Sequence, residues 1–384
     1  MVLQCGGCLP WAWSPRKVHA PPPVHAELHQ NASGHTGNLP RFNWQALETK
    51  SSERAVLCRA LASHGFAIIR MPTEMHEAVR QMQQLAFEFF DRPEEERYAL
   101  GRLRLFKDKV VGYRELGGGT ARFLEVHVLA GMGRAIPAPR VPKDLGPVAV
   151  RLHRLLQDMA RILITWLAEH IAVPPAALLQ CIDEASLGNL EDGDCSASVL
   201  RLCCYGYAGE EGNSEHKTGK TQVEEVFFDE HTDASYLTLA PVGSEPGLQF
   251  RDAAGTGWLD VERDLGSQQD GHFLVFIGDF LEVLTKGKFS AACHRVAAGV
   301  GQGHAKHRFS MPFLVRGQPS SRLDTREFLP EEGEGEGKDM DLLPLEGMSY
   351  AAMRRFLDLK GRRRFQGQRL LASVKPGEGD NEGQ

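Results

Sequence analysis

Val226-Phe227-Phe228-Asp229-Glu230-His231-Thr232-Asp233-Ala234-Ser235-Tyr236-Leu237-Thr238-Leu239 places a His-x-Asp step between two short apolar, β-prone runs. Val226-Phe227-Phe228 and Tyr236-Leu237-Thr238-Leu239 both read as strands, and Pro241 and Gly243 close the second. In an extended chain residues i and i+2 share a face, so His231 and Asp233 reach the same point while Thr232 turns away. Strand signals of this kind fill the second half of the chain and fit a double-sheet jelly roll. The first half is dominated by helical spacing. Val148, Leu152, Leu155, Leu156, Met159, Ile162, Leu163, Trp166 and Leu167 predict one long amphipathic helix whose apolar stripe packs under the sheet. The expected fold class is α+β, with a double-stranded β-helix (jelly-roll) core and flanking helices.

A second imidazole with the right surroundings is His294, in the strand-like run Lys288-Phe289-Ser290-Ala291-Ala292-Cys293-His294-Arg295-Val296. Small residues beside it leave room for a ligand. Two His and one carboxylate on one face of a metal, with other positions open, are the ligand set suited to non-haem Fe(II) and O2. A His-x-Asp pair alone is weak evidence in a chain with 15 His, and His25-Ala26-Glu27 has a similar form. That decoy sits in a Pro-rich stretch without a partner His in a comparable strand. Arg308 and Ser310 also share parity, and Phe309, Met311 and Phe313 take the core side. A guanidinium fork with a neighbouring hydroxyl is a good seat for the far carboxylate of a dicarboxylic acid. The competing reading of Arg308 is a structural ion pair with one of the 50 acidic residues.

Several longer segments carry a resemblance. Gly278-Asp279-Phe280-Leu281-Glu282-Val283-Leu284-Thr285-Lys286-Gly287-Lys288-Phe289, leading to His294-Arg295-Val296, resembles a strand–turn–strand segment of the isopenicillin-N-synthase-like oxygenases. These belong to the 2-oxoglutarate/Fe(II)-dependent dioxygenase superfamily. Pro246-Gly247-Leu248-Gln249 followed by Trp258 resembles the family's hairpin after the His-x-Asp step. Leu200-Arg201-Leu202-Cys203-Cys204-Tyr205 resembles the strand with a cosubstrate-contacting tyrosine, here Tyr205. His64-Gly65-Phe66 and Ala86-Phe87-Glu88-Phe89-Phe90-Asp91-Arg92-Pro93 are similar to the family's N-terminal region. The resemblance implies Fe(II) on His231, Asp233 and His294. It implies 2-oxoglutarate on Arg308, Ser310 and Tyr205, O2 as second cosubstrate, and ascorbate as an optional addition. It implies oxidation of a small organic molecule, by hydroxylation or desaturation, with release of succinate and CO2. The metal ligands are the catalytic set; no separate acid or base is assigned. Cys203 stands where many relatives carry Asn. The interval from His294 to Arg308, with Gly299, Gly301 and Gly303, is longer than usual. A polar insertion at about 210–225 precedes the His-x-Asp step. Phe313, Leu314, Phe123, Tyr113 and Arg114 are read as core or surface rather than as substrate contacts.

The 384 residues divide into four expected regions. These are a flexible segment 1–38, a mostly helical region 39–192, the jelly-roll core 193–318, and a linker, short helix and disordered tail over 319–384. Net charge is −6 and no segment has the basic surface that nucleic acid requires. The basic run Lys360 with Arg362, Arg363 and Arg364 reads as a solvated helix end. Eight Cys are too few and scattered for a disulfide scaffold, and Cys5-Gly6-Gly7-Cys8 lacks a second pair for zinc. Reduced thiols fit a cytoplasmic protein, with a plastid or mitochondrion as the alternative if the acid-free first 26 residues are a transit peptide. Asn31-Ala32-Ser33 has sequon form but matters only on secretion. No stretch is apolar enough to span a membrane. The expected partner is a small-molecule substrate, with neither nucleic acid nor membrane, and the chain is expected as a monomer. Three rival readings keep the scaffold: a 2-oxoglutarate-independent oxidase, a non-catalytic binding protein, and a demethylase of nucleic acid or protein side chains. The acidic charge weighs against a nucleic-acid substrate, and the retained ligand set against the non-catalytic protein.

Overall fold

A computed structural model describes residues 39–106, 109–116, 120–129, 134–136, 144–182, 195–206, 226–252, 255, 257–268, 271–297, 307–317 and 321. The expectations for both chain ends, the insertion at 210–225 and the glycines at 299–303 lie outside these residues. The chain enters through β1 (Arg41–Asn43), α1 (Trp44–Thr49), α2 (Ser51–His64) and β2 (Phe66–Arg70). Helices α3 (Thr73–Phe90) and α4 (Glu94–Leu100) lead to β3 (Arg104–Phe106), β4 (Lys109–Leu116), β5 (Ala121–Leu129) and β6 (Arg134–Ile136). The long helix α5 (Leu145–His170) and short α6 (Pro175–Leu179) follow. The second half is β7 (Val199–Gly206), β8 (Val226–His231), β9 (Leu237–Pro241), β10 (Leu248–Arg251), β11 (Trp258–Asp260), β12 (His272–Ile277), α7 (Asp279–Leu284), β13 (His294–Ala297), β14 (His307–Ser310) and β15 (Phe313–Val315).

Among the described residues these strands form two sheets. The larger runs β1-β2-β12-β9-β15-β7-β5-β4-β3, with β14 also on β7 and β6 on β5; the smaller runs β11-β10-β13-β8. Apolar side chains on both faces of the larger sheet explain its unbroken hydrophobic strands. In β12, Phe273, Val275 and Ile277 join a core with the helices, whereas Leu274 and Phe276 join a second core facing the smaller sheet. Phe66 of the larger sheet stacks on Phe250 of the smaller at 4.3 Å between ring centroids. The two facing sheets are the jelly-roll architecture expected from the strand-rich second half. Strand β5 pairs with β7 over Ala121 to Val126, so the larger sheet also draws on the first half of the chain.

Helix α5 realises the long amphipathic helix, with a shifted stripe. Leu152, Leu156, Met159, Leu163, Trp166 and Leu167 are buried, but Leu155 is half-buried and Ile162 is exposed. His153 and Gln157 take buried places instead. The His153 ring packs edge-on against Phe313 at 4.7 Å, and its Nε2 lies 3.5 Å from the Ser198 carbonyl. Burial pushes its pKa down to about 3. The folded state therefore resists a proton that the unfolded chain accepts, so this group costs stability as pH falls below the ordinary imidazole value. The expected loss is roughly 2 kcal/mol at about pH 5. Comparing urea midpoints at about pH 7.5 and about pH 5 checks this: His153→Phe should shrink the difference. An unchanged difference would contradict it.

Candidate metal centre and anion seat

Strands β8 and β13 pair with His231 directly opposite His294, and the two rings lie 4.3 Å apart between centroids. Asp233 falls just beyond the end of β8 rather than within a strand. Two bonds hold it there: the Asp279 N–H donates to the Asp233 carbonyl (2.9 Å), and the Thr238 hydroxyl donates to Oδ2 (2.6 Å). Only His294–Ala297 of the strand-like run around His294 is a strand. The expected strand–turn–strand segment also differs, because Asp279–Leu284 is helical. Its buried Phe280, Val283 and Leu284 recur at helical spacing.

Ligand atoms of His231, Asp233 and His294 all lie within 4.8 Å of one another, the one such metal-competent group among the described residues. Each imidazole is oriented by its other nitrogen: His231 Nδ1 sits 2.8 Å from the Asp229 carbonyl and His294 Nδ1 3.0 Å from the Ala292 carbonyl. A carbonyl only accepts, so each Nδ1 carries the proton and each Nε2 presents a lone pair, the tautomer a metal requires. The His231 Nε2 to Asp233 Oδ1 distance is 3.7 Å, too long for a hydrogen bond and suited to two ligands of one ion. Burial, then repulsion from His294, lowers the His231 pKa and keeps it neutral. Burial pushes Asp233 up, but His294, His231 and the Thr238 bond outweigh it and hold the carboxyl below its usual value. Two imidazoles and one carboxylate so arranged fit a divalent ion.

Gly278 makes this arrangement possible. A Cβ there would collide with the Ser235 carbonyl and hydroxyl, two residues after Asp233. Gly278→Ala is expected to displace the 233–235 segment, lowering stability by roughly 1–3 kcal/mol and weakening Fe(II) binding. Thermal melting and iron titration together check it: unchanged iron affinity would separate Gly278 from the site.

The second cluster spans β7 and β14, where Arg308 pairs with Tyr205 and Ser310 with Cys203. Arg308 is buried, and its guanidinium lies over the Tyr205 ring at 5.6 Å. The structural ion pair considered for Arg308 is present: Nη2 donates to both Glu262 oxygens at 2.9 and 2.8 Å. Nε donates to the Glu245 carbonyl at 3.0 Å. Nη1 is buried with no acceptor among the described residues. Burial would lower the Arg308 pKa, but the Glu262 carboxylate overrides this and raises it. Glu262 thus orients the fork while leaving one nitrogen for an incoming anion beside the Ser310 hydroxyl.

Residues 198–317, which include both clusters, match the family model of the 2OG-Fe(II) oxygenase superfamily. That segment of the chain belongs to the 2OG-Fe(II) oxygenase superfamily. The chain is 25% identical to gibberellin 2-beta-dioxygenase 4 of Arabidopsis thaliana, over 65% of this chain and 72% of the relative. It is 37% identical to gibberellin 2-beta-dioxygenase 3 of the same plant, over 26% of each chain. In fold it is similar to the crystal structure of the dioxygenase for auxin oxidation in rice. The TM-score is 0.56 at 17% identity, covering 88% of this chain and 99% of that one. The oxygenase is accordingly a 2-oxoglutarate/Fe(II)-dependent dioxygenase.

Its two clusters line one cavity, which holds about 560 Å³ of non-atom space, part of it open to solvent. Apolar wall comes from Phe123, Phe228, Leu248, Phe276, Val296 and Leu314. Phe123 and Leu314, read from sequence as core or surface, are therefore pocket wall. Phe313 and Tyr113 are core, and Arg114 pairs with Glu125 outside the lining. Cys203 lines the oxygenase cavity, and burial raises its thiol to about 11, so it is a neutral wall group. Sequence reading missed Thr238, Glu262 and Arg201. In Trp258-Leu259-Asp260-Val261-Glu262 the alternation assigns Glu262 to solvent, the opposite of its place. The usable signal for Arg201 was its parity with Cys203 and Tyr205 on β7.

Among the described residues, no helix of the oxygenase is long and apolar enough to cross a membrane.

Proposed function

We propose that this dioxygenase oxidises a C–H bond of a small organic metabolite, with Fe(II) on His231, Asp233 and His294. In this reading the distal carboxylate of 2-oxoglutarate rests on Arg308 and Ser310 beside Tyr205. The observation that carries it is the pair of clusters in one cavity: a His-Asp-His triad and a buried guanidinium with an unmatched donor. When bound, Fe(II) with 2-oxoglutarate and O2 supplies the oxidising chemistry and releases succinate and CO2. The chain's own residues do the rest. The Asp229 and Ala292 carbonyls fix the imidazoles, Thr238 fixes Asp233, and Glu262 fixes Arg308. Phe123, Phe228 and Leu314 give the substrate an apolar berth that excludes water. The names of relatives also support a metabolite substrate, gibberellin for the plant dioxygenases.

The test is a screen of small-metabolite mixtures with Fe(II), 2-oxoglutarate and O2, read by succinate formation and product mass. The expected result is a metabolite that raises succinate release and gains one oxygen atom or loses two hydrogens. Succinate release stimulated only by a protein or nucleic acid would overturn the small-metabolite reading.

A further inference from the structure

We propose that the substrate carries a carboxylate, or an anion of like geometry, that docks on Arg201, a second anion seat separate from Arg308. This rests on the small-metabolite reading above and names the chemical class of that substrate. Arg201 lies on β7 with the parity of Cys203 and Tyr205, and its side chain lines the cavity that holds the metal triad. His231 and Asp233 line the same cavity.

The side chain is only 13% exposed, so its donors depend on protein or ligand acceptors. Nε and Nη2 both address one oxygen, Glu125 Oε1, at 3.1 and 3.0 Å. Neither contact uses Nη1. The same Glu125 oxygen also takes Arg114 Nη2 at 2.9 Å. Burial pushes the Glu125 carboxyl up, but Arg201, Arg114 and Arg316 outweigh it and hold it at about 2. One carboxylate is therefore shared among several guanidiniums and leaves Arg201 a donor edge for the cavity. The ring of Phe123 carries Arg114 at 5.3 Å and Arg201 at 5.9 Å, which stiffens this wall. A flat or alicyclic acid would set its body against Phe123, Phe228 and Leu314 and its carboxylate against the open edge of Arg201. Glu125 is then a positioning residue for Arg201, as Glu262 is for Arg308.

Matched acid and amide pairs test this: benzoate and benzamide, phenylacetate and phenylacetamide, cyclohexanecarboxylate and its amide. Each is titrated without O2 into protein loaded with Fe(II) and 2-oxoglutarate, and binding is read from perturbation of the visible charge-transfer band. The acids are expected to bind at least about tenfold more tightly than their amides, the ratio one charge-assisted hydrogen bond supports. Arg201→Gln, with folding checked by circular dichroism, is expected to erase that preference. Equal binding of acids and amides by the unaltered protein would overturn the inference and leave the small-metabolite reading standing. So would a preference that survives Arg201→Gln. If Arg201→Gln weakens 2-oxoglutarate instead, Arg201 is the cosubstrate seat and the inference fails. An intact band that neither acids nor amides perturb would likewise overturn the inference.

Discussion

Asp233→Ala is expected to end iron-dependent turnover. Asp233 supplies the only carboxylate of the triad, and without it two imidazoles face a divalent ion with no compensating charge. Loss of a mere supporting partner to a metal ligand costs about 10–100-fold in affinity or activity. Loss of the ligand itself should therefore exceed about a hundredfold in Fe(II) affinity. Asp233 lies in the turn after β8 rather than in a strand, so the sheets should persist. Anaerobic iron titration beside thermal melting separates the effects. A variant with unchanged Fe(II) affinity would remove Asp233 from the metal site.

Arg308→Met is expected to have two distinct effects. The first is weaker 2-oxoglutarate binding, by about 10–150-fold, the equivalent of one lost charge-assisted contact of ~1.5–3 kcal/mol. The second is a loss of stability of roughly 3–5 kcal/mol, because Glu262 would remain buried as an uncompensated charge. Glu262 is 1% exposed, and the backbone N–H groups of Gly243 (2.8 Å) and Leu248 (2.9 Å) bond its oxygens without neutralising them. Combining Arg308→Met with Glu262→Gln separates the effects: stability should largely return while 2-oxoglutarate affinity stays low. Denaturant unfolding and 2-oxoglutarate titration of the single and double variants check both. Recovery of affinity in the double variant would show that Arg308 matters only through its ion pair.

The residues of the candidate site were legible wherever chemistry demanded a rare combination. His231, Asp233 and His294 stood out because a metal needs two imidazoles and a carboxylate together, and Arg308 because a guanidinium in an apolar strand needs a purpose. The jelly roll was legible through the density of strand signals, and α5 through its period. What failed to show was support from distant segments. Glu262 reads as a solvent-facing residue until β10, β11 and β14 fold around it, and the Glu125–Arg201 contact exists only when β5 meets β7. The helical Asp279–Leu284 was misread because its apolar residues suit a buried strand as well as a short helix. His153 shows the reverse limit, a polar residue drawn into the core by the stripe around it.

The most direct measurement of the central claim is the visible spectrum of purified protein mixed, without O2, with Fe(II) and 2-oxoglutarate. Iron held by His231, Asp233 and His294 with the cosubstrate seated on Arg308 predicts a metal-to-ligand charge-transfer band. That band should weaken in Arg308→Met at limiting 2-oxoglutarate and vanish in Asp233→Ala. Bound iron without the band, or a band of full strength in both variants, would contradict the assignment of these two clusters.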